Sequence, residues 1–329
     1  MVDQPRKWRW GVNRWFVLLF IVLGVFAAQA YPPVRPHVQL PAEVLLPAAP
    51  LFTIPGVGPI FLTNTLVATF LADILLLLIA FGVWRATRSG SLEIRGFSSA
   101  IEALLEALYN LAESTAGKWA KRIFPWMATI VMLVLVANWM ELIPGVDSIG
   151  VLHPAEGGEG YAIQDVAPGV ATVLRGEVPE GAPAFVLVPF VRAASTDLNF
   201  TLALAVISVA FTQYYGIRAS GLGYFSKFFN VKTLFTKPMF GAIDFGVGLL
   251  ELISEISKVL SFTFRLFGNI FAGSVLLFVI GTLVPVFAQT PFLMLEFFVG
   301  LIQAIVFGML TLVFMAQATA GHGHSEASH

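Results

Sequence analysis

The 329-residue chain is 57% hydrophobic, only 12% charged and has a net charge of −1, whereas soluble domains carry roughly a quarter charged residues. A water-soluble fold cannot hide that much apolar surface, and no basic excess is left to attract nucleic acid. Thirty Phe and seven Trp suit lipid and its interfacial belts, while the lack of Cys excludes disulfides, thiolate nucleophiles and Cys-based metal sites.

A helix that crosses the hydrocarbon core needs about 20 apolar residues, and six such runs occur along the chain. The first, 15–30, follows Arg6, Lys7, Arg9 and Arg14 and ends in Ala28-Gln29-Ala30, which fits a secretory signal peptide as well as a retained anchor. A retained anchor with a cytoplasmic N-terminus is expected. The proline-rich stretch 31–59 predicts a non-helical extracytoplasmic segment, because Pro cannot donate the helical hydrogen bond. Residues 1–59 are thus set apart from a membrane domain over 60–329.

The second span covers 60–84 and contains Asp73, for which a hydrogen bond inside the bundle is expected. Residues 92–116 then place Ile101, Leu104, Leu105, Leu108 and Leu111 on one side, and Glu102, Glu106, Asn110 and Glu113 largely on the other. This pattern predicts an amphipathic helix along the membrane surface, with a soluble-facing helical hairpin as the alternative. Spans 124–143 and 198–217 flank a Gly- and Pro-rich loop. That loop holds Asp147, Glu156, Glu159, Asp165, Glu177 and Glu180 against Arg175 and Arg192 alone. The last two spans, 245–285 and 291–318, exceed one membrane thickness and predict strong tilt or curvature. Basic residues collect at Arg85, Arg88 and Arg95, at Lys118, Lys121 and Arg122, and at Arg218, Lys227, Lys232 and Lys237, which assigns those ends to the cytoplasm. The expected architecture is an all-α membrane protein of about six transmembrane helices, one of them an extra N-terminal one, with an amphipathic interfacial helix.

Chemistry concentrates in the fifth span. Glu251, Ser254, Glu255, Lys258, Ser261, Arg265 and Asn269 recur at helical spacing and share one face. An arginine at mid-bilayer costs at least about 2.5 to 3.5 kcal/mol, so such groups normally line a pathway or meet a partner. For Lys258 and Glu251, snorkelling to the cytoplasmic interface is an equal reading. The sixth span repeats the pattern with Glu296, Gly300, Gln303, Phe307 and Thr311. A carboxylate such as Glu296 near the extracytoplasmic side can exchange a proton with water, whereas a permanently charged Arg cannot. Gly300, Ala304 and Gly308 are small enough for close helix approach. Asn138 and Glu141 end the third span, and Asp197 and Asn199 begin the fourth. Together with Asn269, Gln303 and Glu296 they predict a wetted funnel from the extracytoplasmic side to mid-membrane.

The run Glu251-Leu-Ile-Ser-Glu-Ile-Ser-Lys-Val-Leu-Ser-Phe-Thr-Phe-Arg265-Leu-Phe-Gly-Asn269-Ile-Phe-Ala-Gly273 resembles the signature helix of the ATP synthase subunit a family. Asn110-Leu-Ala-Glu, Asn138-Trp-Met-Glu141-Leu-Ile-Pro-Gly145, Asp197-Leu-Asn199-Phe-Thr and Gln303-Ala follow the same order, so the resemblance extends over about 59–318. It implies that Arg265 is the essential arginine facing a rotating ring of c subunits, with Gln303 as its neighbour. Asn269, Glu141, Asn138, Asp197 and Asn199 would line the extracytoplasmic half-channel. Glu251, Ser254, Ser257 and Ser261 would line the cytoplasmic one, with Glu255 one turn further in.

Some relatives have Glu nine residues after the essential Arg and His seven before the Gln; here Ser274 and Glu296 stand there, and the resemblance then implies that the carboxylate that takes up the proton has changed helices. Val259 replaces a frequent Pro, and the N-terminal anchor lies outside the family pattern. The resemblance further implies peripheral-stalk b subunits and other ATP synthase subunits as partners, a bacterial plasma-membrane location, H+ or Na+ as the ion, and ATP made elsewhere in the complex. A secondary transporter binding a small solute at mid-membrane is the principal alternative, and a structural scaffold the weaker one; neither internal repeats nor Gly- or Pro-broken helices favour the transporter. No Walker-type loop is present, so the chain itself is expected to bind neither nucleotide nor metal.

Overall fold

The computed structural model describes residues 10–30, 41–46, 50–56, 58–88, 96–143, 145–155, 160–174, 178, 183–228, 238–283 and 289–320. Arg6, Lys7, Arg9, Arg95, Glu156, Glu159, Arg175, Glu177, Glu180, Lys232, Lys237 and the histidines of the C-terminal tail lie outside them.

Seven α-helices are described: α1 (Trp10–Ala30), α2 (Asn64–Arg88), α3 (Phe97–Ala116), α4 (Ala120–Met140), α5 (Leu198–Ser220), α6 (Pro238–Leu283) and α7 (Gln289–Thr319). Five helical runs, Asn64–Arg88, Ser98–Met140, Leu198–Ser220, Phe245–Leu283 and Gln289–Thr319, are long and apolar enough to cross a membrane, and a shorter apolar run, Arg14–Phe26, lies in α1. The chain is an all-α membrane protein. Helix α6, 46 residues long, and α7, 31 residues, both exceed one bilayer thickness at 1.5 Å per residue.

Local chemistry sets several helix ends. Asp197 caps α5 by accepting from the Asn199 backbone amide at 2.9 Å, satisfying a donor that has no partner inside the helix. Gly117, at φ 50°, closes α3 with a positive φ that a side chain would resist, and a short turn then leads into α4. Helix α3 is amphipathic as predicted. Leu104, Leu108, Ala112 and Ala116 join the main core, while Glu102, Glu106, Asn110 and Glu113 are exposed.

That core lies where α4, α5, α6 and α7 meet, around Ile123, Met127, Val131, Leu266, Ile270, Leu312 and Met315. Helices α4 and α7 approach so closely at Gly308 that a β-carbon there would collide with the Val131 side chain. By contrast α1 and α2 are largely exposed apolar surface, as lipid-facing helices should be.

The loop between α4 and α5 holds more regular structure than its Gly and Pro content predicts. Strand β3 (Gly150–Pro154) pairs with β6 (Phe185–Pro189), and between them β4 (Ala162–Ala167) pairs with β5 (Val170–Leu174), both antiparallel. The described part of 31–59 is non-helical and contains β1 (Phe52–Ile54), which pairs with β2 (Gly58–Ile60). This segment is stitched to its surroundings: Leu45 is buried and its amide donates to Leu62 O at 2.9 Å, His153 Nε2 lies 3.3 Å from Leu45 O, and Arg192 Nη1 donates to Pro41 O at 3.5 Å.

Candidate functional site

Two neighbouring rows on α6 divide its labour. Phe262, Leu266, Ile270 and Ser274, spaced by four, are all buried, whereas Ser261, Arg265 and Asn269 are exposed. The buried row anchors the helix against α5 and α7 and thereby turns the exposed row outward. Arg265 donates from Nη2 to Ser261 Oγ at 3.2 Å, and among the described residues no carboxylate comes within ion-pair distance of it. Gln303 is half-buried on α7, and no hydrogen bond joins it to Arg265 among the described residues.

On the N-terminal side of Arg265, a cavity of about 230 Å³ is lined by Ser254, Ser257, Lys258, Ser261, Phe262, Arg265, Leu310 and Phe314. Ser254, Ser257 and Ser261 are exposed, and Ser257 donates to its own helix at Ile253 O. Glu255 is buried and pairs with Lys258 at 2.9 Å, and that ammonium also stands 4.9 Å from the centre of the Phe314 ring. Glu251 is half-buried three to four residues further toward the helix start.

On the C-terminal side the helix reaches a second cluster, nine residues or about 13 to 14 Å beyond Arg265. Ser274 Oγ lies 2.6 Å from Glu141 Oε1 and 3.1 Å from the carbonyl of Ile270. The Glu296 carboxylate, from α7, sits against Gly273 so tightly that a β-carbon there would strike both its oxygens. Glu296 is 8% exposed, and its Oε1 is buried with no hydrogen-bond partner among the described residues. A buried carboxylate oxygen without a partner is costly unless a proton, water or moving ligand visits it.

The remaining polar residues knit the same end of the bundle. Asn138 accepts from Ser195 Oγ at 2.6 Å and donates to Gly300 O at 3.3 Å, tying α4 to α7. Asp197 has one oxygen on its cap and the other accepting from Thr65 Oγ1 at 2.9 Å, so both are engaged, while Asn199 is exposed. Outside the membrane-spanning helices, Asp147 is half-buried, and burial pushes its carboxyl from 3.8 up to about 6 against the opposing charge of Arg192.

Sequence reasoning left Ser195, Thr65, Gly273 and the Asp147–Arg192 pair without a role. Only the Ser-Thr-Asp start of α5 carried a legible signal, that of a helix cap. Asp73 requires a correction: instead of bonding inside the bundle it is exposed on α2 with no hydrogen bond or ion pair among the described residues. The inward row of α2, Asn64, Thr65, Ala68 and Ala72, leaves Asp73 one residue off the packed face.

A family model described as ATP synthase A chain matches residues 66–316. Relatives named ATP synthase subunit a include those of a Nitratiruptor species, 29% identical over 60% of this chain and 63% of that protein, and of Moorella thermoacetica, 29% identical over 63% and 68%. Another, from Campylobacter jejuni subsp. jejuni, is 29% identical over 55% of this chain and 58% of its own length. The chain thus spans less than two thirds of the first of these relatives, at 63%.

Proposed function

The chain belongs to the ATP synthase A chain family, and from that membership we propose that it is the ion-translocating stator subunit of an F-type ATP synthase in a bacterial plasma membrane. It is non-catalytic; ATP forms elsewhere in the complex. Residues 60–329 make up the membrane domain, and 1–59 are an added anchor and extracytoplasmic segment. Its partners are a ring of c subunits, the peripheral-stalk b subunits and the rest of the synthase.

The observation that carries this reading is the exposed Arg265, flanked on one side by a serine-lined cavity and on the other by a buried carboxylate cluster. An arginine with no carboxylate within ion-pair distance among the described residues, on an outward face of a membrane helix, calls for an acidic partner from another chain. A ring carboxylate meets that requirement. Ions would arrive from the extracytoplasmic side through Glu141, Ser274 and Glu296, with Asn138, Asp197, Asn199 and Asn269 shaping the funnel. They would leave toward the cytoplasm past Ser261, Ser257, Ser254, Glu255 and Glu251. Arg265, with Gln303 beside it, would keep an ionised ring carboxylate from slipping directly between the two routes.

At about 4 Å and an effective dielectric near 20, the attraction of Arg265 for such a carboxylate is about 4 kcal/mol. Arg265→Gln keeps polarity and removes the charge. The assembled complex should then lose proton-driven ATP synthesis, measured in energised vesicles; normal synthesis would remove Arg265 from this role.

A further inference from the structure

Asp73 lies nine residues after the start of α2 and fifteen before its end, about 13 to 14 Å from one end and 22 Å from the other. Its side chain is too short to reach water at either interface, so the snorkelling open to Lys and Arg is closed to it. The helix holds to the bundle through Asn64, Thr65, Ala68 and Ala72 alone among its buried residues. Asp73 instead shares the outward surface with Phe70, Ile74, Leu77 and Phe81, all exposed by more than half. A carboxyl facing hydrocarbon at that depth is expensive, and intramembrane acids are normally paired with a donor on a neighbouring helix.

We propose that the outward face of α2 around Asp73 is the docking surface for a membrane helix of a different subunit, which carries a hydrogen-bond donor side chain at mid-bilayer depth. The apolar residues above and below Asp73 supply the packing, and the carboxyl fixes depth and rotation by accepting the donor. This assignment is independent of the ion-translocation reading, since Asp73 belongs to neither polar cluster on α6.

The test uses the complex in which the chain purifies in mild detergent. A photoreactive benzoylphenylalanine replacing Leu77, one turn from an intact Asp73, should crosslink to a membrane helix of a different chain, and the crosslinked peptide should contain a donor side chain. Asp73→Leu makes α2 more apolar and so does not hinder insertion, yet retention of that crosslinked subunit through detergent washing should fall about tenfold, the scale of one interhelical polar contact in a membrane. Crosslinking solely to lipid, to α1 or to a second copy of the chain would overturn the proposal. Undiminished retention in Asp73→Leu would do the same, because a carboxyl merely tolerated by lipid predicts that result.

Discussion

A hydroxyl group has one hydrogen and two lone pairs, so Ser274 can either donate to Glu141 or accept from it. With Glu141 ionised, Ser274 donates to it across 2.6 Å; with Glu141 protonated, Glu141 donates and Ser274 turns its hydrogen to the Ile270 carbonyl 3.1 Å away. The contact survives either state, as the proposed proton route requires. Glu296 lies beside this pair with an oxygen that lacks a partner among the described residues. Glu296→Gln should therefore slow passive proton conduction through the membrane sector by on the order of a hundredfold, because an amide neither takes up nor releases the proton. Ser274→Glu combined with Glu296→His should recover much of the rate, while Ser274→Ala alone should cost far less than Glu296→Gln. Wild-type conduction in Glu296→Gln would withdraw the proposed uptake role of Glu296 and leave it to Glu141 or Asp197. The identities of these residues were legible in the sequence because charged groups at helical spacing stand out against apolar neighbours. That Gly273 exists to clear the Glu296 carboxylate was not, since a missing side chain carries no pattern until the opposing helix is in place.

Among the elements, the helices were legible and the strands were not. Continuous apolar runs of membrane length announce α2, α4, α5, α6 and α7 without any tertiary information. The β3–β6 ladder joins Gly150 to Pro189 across a long intervening chain, so its hydrogen bonds depend on a partner no local window contains. The tight crossing of α4 and α7 is a further property of a pair. Gly308→Ala would drive a β-carbon into Val131, a stiff β-branched side chain in the core, whereas Gly82 on α2 has open space around it. Overpacking of this kind costs about 1 to 3 kcal/mol. In thermal unfolding of the complex in mild detergent, Gly308→Ala should melt lower than wild type and Gly82→Ala should not, since added helix propensity is the only change there. Equal melting of the two variants would mean that α4 and α7 do not meet at Gly308.

Across the whole molecule, residues 41–46 from before α2 and the β3–β6 ladder with its flanking loop meet in one roof of non-helical chain. Arg192 joins these parts, donating to Pro41 O while its charge acts on Asp147 at the foot of the loop. Burial raises the Asp147 carboxyl to about 6 from 3.8, so the native roof favours the protonated acid. Between pH about 4 and 6 the native state therefore holds more protons than the unfolded one, and stability falls as pH rises through that window. The penalty is small where solvent reaches the group, but its sign is fixed. Hydrogen exchange of the β3 and β6 amides, corrected for the intrinsic pH dependence of exchange, should show protection declining from pH 4 to 6 and levelling above 7. Asp147→Asn, neutral throughout, should flatten the profile, whereas Arg192→Gln should move the decline to higher pH, because the opposing positive charge is gone. An unchanged slope in Asp147→Asn would show that the roof takes its pH dependence from another group.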